Sequence, residues 1–187
     1  GVAHELGHGL GLPHVTGPRS NPKHSLMGDG NHTYGAERRG EGAGTYLHPA
    51  SAMSLARCRP FAGEIPAARA RPAAECADLG ASFHGGQLCL EGRLDAAPPA
   101  FGVAAYNDRM AIPSDYDATG WTSSVDNAGR FKVAIGELDA GDYELRLQVC
   151  HTNGATSPLV FRYVVGSDGV PDLAPFSPSL LLLNRAV

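Results

Sequence analysis

Near its amino end the chain reads HELGHGLGLPH over residues 4–14. An α-helix turns about 100° per residue, so His4 and His8 lie on one helical face with Cβ atoms about 5–6 Å apart. The two imidazoles are therefore placed to hold one metal ion. A catalytic zinc site takes three protein ligands and leaves the fourth position to water. His14 is the candidate third ligand, and the spacing predicts a metal site built on a short helix.

The helix has to end before the third histidine. His14 lies six residues beyond His8 and would point away from the metal on a continuing helix. Gly11 accepts the left-handed conformation that commonly ends a helix, so it is the predicted stop. Leu6 and Leu10 lie about 200° round the helix from the histidines that precede them by two residues, and we expect them to face the core.

This segment, together with a methionine that follows it, resembles the metzincin zinc peptidases. The sequence SLMG at residues 25–28 resembles their methionine turn. The resemblance implies that Glu5 is the general base and that Met27 forms the floor of the site without being a ligand. It also implies three ligands to Zn²⁺, namely His4, His8 and His14.

The chemistry of these residue types supports the implied roles. Neutral imidazoles bind zinc without cancelling its charge, and a neighbouring carboxylate can take a proton from water and pass it to a leaving amine. The expected reaction is hydrolysis of peptide bonds by a zinc-activated water, with Glu5 as the base. Val15 and Asp29 stand where metzincin subfamilies carry other residues, so the subfamily stays open.

Composition limits the partners. The 187 residues are 43% hydrophobic and 18% charged, with a formal net charge of −4. They contain no basic stripe, so nucleic acid is not expected as a partner, whereas a protein or peptide substrate is. No apolar run reaches the 18–20 residues of a membrane helix, so no span is expected in this portion. Oligomeric state stays open.

The resemblance also implies what precedes this portion. Only three residues stand before His4, whereas metzincins place a sheet and a helix before their zinc helix. We therefore expect an N-terminally truncated catalytic domain, inactive as an isolated fragment, from a secreted enzyme of a type typical of bacteria.

The predicted fold class is α+β, with a catalytic part followed by an antiparallel β-sandwich of immunoglobulin or fibronectin type. Within the first part we expect a polar loop at Asp29–Gly44 and a short helix at Pro49–Arg59. The predicted divisions are residues 1–61 for the C-terminal part of the catalytic domain, 62–84 for an Ala/Arg/Pro-rich linker, 85–172 for the sandwich and 173–187 for a tail.

The sandwich is predicted from alternating apolar and polar residues separated by turn residues. Asp126–Gly129 and Asp139–Asp142 are two such turns. The best strand candidates are Gln87–Leu94, Phe101–Tyr106, Arg130–Ile135, Tyr143–Cys150 and Leu159–Val165.

Other polar and aromatic residues are less decisive. His24 and His32 are expected in an exposed loop, or else in contact with the substrate or with the metal ligands, and His48 is expected at a helix boundary. Four residues of the second part are interpreted as core, or else as a sugar or protein site: Tyr106, Tyr116, Trp121 and His151. Three aspartates are interpreted as a solvated loop rather than a calcium site: Asp108, Asp115 and Asp117.

Four cysteines allow three disulfide pairings in an extracellular protein, and reduced buried thiols are the alternative. The favoured pairs are Cys89 with Cys150, inside the sandwich, and Cys58 with Cys76, across the linker. A second function is also possible: a non-catalytic extracellular binding or adhesion protein, in which the zinc site is structural or inactive. A fourth ligand from the protein would favour that function.

Overall fold

The computed structural model describes residues 1–42, 44–62, 71–111 and 115–177. The chain is mostly β-sheet with few helices. Its elements are α1 (Val2–Gly9), β1 (His24–Ser25), α2 (Gly30–Arg38), β2 (Thr45–Tyr46), α3 (Pro49–Leu55), α4 (Arg59–Ala62), β3 (Ala73–His84), β4 (Gln87–Ala97), β5 (Ala100–Arg109), β6 (Thr119–Ser124), β7 (Arg130–Ile135), β8 (Gly141–His151) and β9 (Thr156–Val165), with 3-10 turns at Asp115–Asp117 and Ala174–Phe176.

Two antiparallel sheets form the larger part of the structure. One has the strand order β3-β4-β7 and the other the order β6-β5-β8-β9. In the first sheet Leu88 faces Ile135, and in the second Val103 faces Val149. All four side chains are fully buried and belong to one apolar core that both sheets share. Because successive side chains of a strand point to opposite faces, each sheet has one apolar face, and these two faces pack against each other in this core.

The five predicted strands are all present, and Arg130–Ile135 has the predicted bounds. Two strands of the antiparallel sheets were missed, β3 and β6, and so was the short pair of β1 and β2. The predicted linker over 62–84 is wrong where β3 lies, because Ala73–His84 pairs with β4 along its length. Residues 63–70 of that range lie outside the described part of the chain. The start of the predicted tail is wrong as well, because Phe176 is 1% exposed and packs on the main core.

The predicted polar loop at Asp29–Gly44 contains a helix, α2, so the loop prediction is wrong over Gly30–Arg38. Beside this helix, β1 and β2 form a short parallel pair in which His24 is opposite Thr45. The predicted helix at Pro49–Arg59 is present but ends at Leu55.

The segment from α1 to α3 packs on the outer face of the four-stranded sheet. A second apolar cluster joins Leu12, Val15 and Met27 to Ala104 and Tyr106 of β5. Within the described residues, no helix is long and apolar enough to cross a membrane. The cluster fixes the segment with the three histidines directly against the sheet.

The favoured disulfides are absent from the structure, since all four cysteines are free. Cys89 alternates with buried Leu88 and Leu90 on β4, so its side chain points away from the main core. Cys150 lies in the second cluster, on the outer face of the opposite sheet, and donates to the carbonyl of Gln148. The two sulfurs therefore lie on opposite outer faces, which rules out a disulfide between them.

His48 is a helix boundary residue, as predicted, and it is 3% exposed. The backbone N–H of Ala50 donates to His48 Nδ1 at 3.1 Å, which caps α3. Burial lowers the pKa of His48 to about 4. An unfolded histidine takes up a proton below about pH 6.5, so between pH 6.5 and 4 the unfolded chain binds one more proton than the folded chain.

We therefore expect acid to destabilise the fold through His48, by an amount on the order of 2–3 kcal/mol across that window. Thermal unfolding measured between pH 7 and 4 should show a falling Tm. His48→Asn keeps a capping side chain but does not titrate, so its Tm should fall less. Equal falls in both proteins would contradict this role for His48.

Candidate metal centre

The first helix ends where the sequence predicts, and the end is what brings His14 back. Gly11 has φ +82, the left-handed conformation that glycine adopts without strain. Its N–H donates to His8 O at 2.9 Å, and Leu12 N–H donates to Gly7 O at 3.0 Å. These two bonds form a Schellman motif, which satisfies the last carbonyls of the helix and reverses the chain.

Three imidazole nitrogens meet at one point as a result. His8 Nε2 lies 3.0 Å from His4 Nε2 and 3.0 Å from His14 Nε2. In tetrahedral zinc coordination with bonds of 2.0–2.1 Å, neighbouring nitrogens are about 3.3 Å apart. The three ligand atoms are therefore close to the separation that one metal ion requires, and in the described residues they are the single His/Cys/Asp/Glu group of this kind.

The other nitrogens of two of these rings fix the tautomer. His4 Nδ1 lies 2.8 Å from Leu26 O, and His8 Nδ1 lies 2.9 Å from Leu12 O. A carbonyl oxygen only accepts, so each Nδ1 carries the proton and each Nε2 presents a lone pair in the neutral ring. Lone pairs that point at one another repel unless a cation lies between them. The donor set therefore fits a metal ion.

Met27 is fully buried and lies against Gly7 of α1. Gly28 N–H donates to Ser25 O, which closes the turn, and Val15 N–H donates to Met27 O at 3.1 Å. The turn thus places Met27 under α1 and Leu26 O against His4. Glu5 is exposed on α1, one residue beyond His4.

The core-facing prediction is wrong for Leu6, whereas Leu10 lies just beyond the end of α1 and is half-buried. Leu6 is 61% exposed, and the side that packs inward is that of Gly7, which is buried. A Cβ on Gly7 would collide with the sulfur of Met27. The close approach of the helix to Met27 therefore depends on the missing side chain of Gly7, a constraint that apolar periodicity does not reveal.

We expect Gly7→Ala to lower the free energy of unfolding by about 1–3 kcal/mol, because the added methyl group would force the fully buried Met27 side chain to shift. Gly9→Ala is the matched control, since nothing lies within 4 Å of a Cβ at Gly9. Alanine there should stabilise the helix by up to about 1 kcal/mol. Urea unfolding of both variants measures the difference, and a stabilised Gly7→Ala would contradict the packing described above.

The segment after His14 is tied to the sheet. Thr16 N–H donates to Ala118 O at 2.7 Å, and Thr16 forms a parallel bridge with Thr119. The 3-10 turn that precedes Ala118 carries Tyr116, whose ring is stacked on His14 with centroids 3.7 Å apart. Sequence reasoning noted Tyr116 only as one of several aromatics, because nothing local connects it with a histidine 102 residues earlier.

The other candidate residues do not join the cluster. Tyr106 is 2% exposed and lies in the second apolar cluster, Trp121 packs against the main core, and His151 is fully buried with its nitrogens on Pro98 O and Ser157 Oγ. His32 is exposed on α2 and His24 is half-buried in β1. Among the described residues the aspartates Asp108 and Asp117 are not part of any group able to hold a metal ion.

A polar cavity of about 400 Å³ lies beside the segment, between residues 16–29 and the four-stranded sheet. Arg19 closes one side of it. Its backbone N–H donates to Glu137 Oε1 at 2.9 Å, and its guanidinium pairs with Asp139. The guanidinium holds the pKa of the Asp139 carboxyl below its usual value. These contacts are a second attachment of the segment to the sheets.

No protein-family model matches the chain, and no curated protein matches it. Solved structures of OgpA from Akkermansia muciniphila are similar to it. Wild-type OgpA is 27% identical with a TM-score of 0.75, over 90% of this chain and 49% of OgpA. Catalytically inactive OgpA, in complex with the O-glycopeptide substrate glycodrosocin, is 26% identical with a TM-score of 0.74, over 87% of this chain and 48% of OgpA. The chain thus spans about half the length of OgpA and shares its fold there.

Proposed function

We propose that the chain is the metal-binding part of a secreted zinc endopeptidase of the metzincin type, followed by an antiparallel β-sandwich. The convergence of His4, His8 and His14 carries this proposal, because two of their Nδ1 atoms are held by carbonyl oxygens and the Nε2 atoms point together. The similarity to OgpA supports a peptidase, since that enzyme was crystallised with a peptide substrate. The substrate class proposed here is accordingly an O-glycosylated peptide.

The residues of the metal site have distinct proposed roles. Zinc in this site would supply Lewis-acid chemistry, polarising a peptide carbonyl and making water more acidic. Leu26 O and Leu12 O hold two of the three ligand rings in orientation. Glu5 is exposed beside the ligands, where its carboxylate can take a proton from the attacking water and return it to the leaving amine. Met27 keeps the underside of the ligand cluster dry.

The test uses the complete protein and two peptides of one sequence, with and without an O-linked glycan. Cleavage is followed by mass spectrometry of the products. We expect cleavage of the glycosylated peptide, loss of cleavage with a zinc chelator and recovery on adding Zn²⁺. Zinc binding without cleavage of either peptide would instead favour the non-catalytic binding protein, and cleavage that resists the chelator would exclude a metallopeptidase.

A further inference from the structure

Tyr116 brings the connection between β5 and β6 into contact with the histidine cluster. It stands in the turn Asp115–Asp117, between β5 and β6, and its ring is stacked on His14 with an interplanar angle of 24°. The centroid separation of 3.7 Å is the shortest among the described ring pairs. The same ring is parallel to that of His4 at 6.3 Å.

The backbone holds this ring in place on both sides of the contact. Thr16 and Ala118, each two residues from one of the stacked rings, share the hydrogen bond at 2.7 Å. Ala118 is 2% exposed, whereas Tyr116 itself is 42% exposed. Tyr116 belongs to neither apolar cluster, and its ring contacts among the described residues are with His14 and His4.

Stacking on a metal ligand differs from stacking on an ordinary histidine. A bound metal draws electron density from the imidazole, so the ring carries positive charge, and the π face of a tyrosine attracts positive charge. The contact therefore favours the metal-bound form over the metal-free form. It also restricts rotation of the His14 ring, in the way that hydrogen-bonded groups around metal sites restrict their ligands.

We propose that Tyr116 is a positioning residue of the metal centre: by stacking on His14 it holds the third ligand in orientation and strengthens metal binding. This inference rests on the metal site of the proposed function and extends it to the sheet part of the chain. The aromatic ring, rather than the hydroxyl, carries the effect. The segment from α1 to α3 and the sheets then contribute together to metal binding.

The test measures Zn²⁺ affinity of the complete chain by competition with a chromophoric chelator. We expect Tyr116→Ala to bind Zn²⁺ about 10-fold more weakly, at the lower end of the 10–100-fold typical of residues around metal ligands. Tyr116→Phe should bind within about threefold of the wild-type protein, because phenylalanine keeps the stacked ring. Tyr34→Ala is the matched control, since Tyr34 is 44% exposed on α2 and should leave the affinity unchanged.

Repeating the Tyr116→Ala substitution in the His14→Ala variant distinguishes an effect of stacking from a general effect on the fold. When His14→Ala has already removed the partner ring, Tyr116→Ala should weaken Zn²⁺ binding no further. The visible spectrum of the Co²⁺-loaded protein should change in Tyr116→Ala and stay the same in Tyr116→Phe. Equal affinities of wild type and Tyr116→Ala, or an equal loss in both backgrounds, would overturn the role of Tyr116 alone. If the wild-type chain binds Zn²⁺ no better than His4→Ala, the metal site of the proposed function fails as well.

Discussion

His8→Ala is expected to remove tight metal binding altogether. His8 Nε2 lies 3.0 Å from both other ligand nitrogens, so its loss leaves two rings that no longer enclose one point. We expect Zn²⁺ affinity to fall by more than about 100-fold, beyond the 10–100-fold that residues around the ligands contribute. Competition with a chelator at pH 7 measures the change directly.

Unfolding gives an independent readout of the same substitution. A ligand that binds only the folded state stabilises it by about 4 kcal/mol when its concentration is 1000 times Kd. Zn²⁺ should therefore raise the Tm of the wild-type chain and leave that of His8→Ala unchanged. His32→Ala serves as the control, because His32 is exposed on α2 and outside the cluster, and it should keep the full response to Zn²⁺. A full response in His8→Ala would remove the assigned ligand set.

Glu5→Gln is expected to abolish peptidase activity of the complete protein while Zn²⁺ stays bound. The amide has nearly the shape of the carboxylate but cannot accept the proton, and general acid–base catalysis contributes about 10²–10⁴-fold to such rates. The loss should appear in kcat, measured with the glycosylated peptide at saturating concentration. Zn²⁺ affinity, measured in parallel, should not change.

The control for this substitution is Glu41→Gln. Glu41 is an exposed carboxylate that pairs with Arg39 at 2.9 Å and is not part of the histidine cluster. The peptidase activity of the Glu41→Gln variant should equal that of the wild-type protein. Retention of more than a tenth of the activity in Glu5→Gln would show that another group acts as the base.

Local patterns predicted much of the fold. The helical spacing of the histidines and the glycine at position 11 predict α1 and its end, because both depend on backbone geometry alone. Strands such as β7 and β8 alternate apolar and polar residues, so they are also visible in the sequence. By contrast β3 reads AAECADLGASFH, whose small residues show no clear alternation, and it is interrupted by an irregularity between Ala77 and Gly80.

The rest could not be predicted because it depends on contacts between distant residues. Gly7 rather than Leu6 faces inward because Met27 occupies the space below it. The contact between Tyr116 and His14 depends on the bridge between Thr16 and Thr119 of β6, which brings the two parts of the chain together. Ligand spacing in a sequence thus indicates which atoms can meet, whereas the residues that support them become visible only once the sheets are in place.

The reversal at Gly11 has a consequence for how related chains can vary in length. Between His8 and His14 the backbone ends a helix, forms two hydrogen bonds and returns, so an insertion or deletion there would move one ligand away from the others. After Thr16 the chain passes through an exposed turn at 19–20 before reaching β1. Surface connections of that kind tolerate extra residues. Homologous sequences should therefore differ in length after residue 16 while the six-residue step between the second and third ligands stays constant.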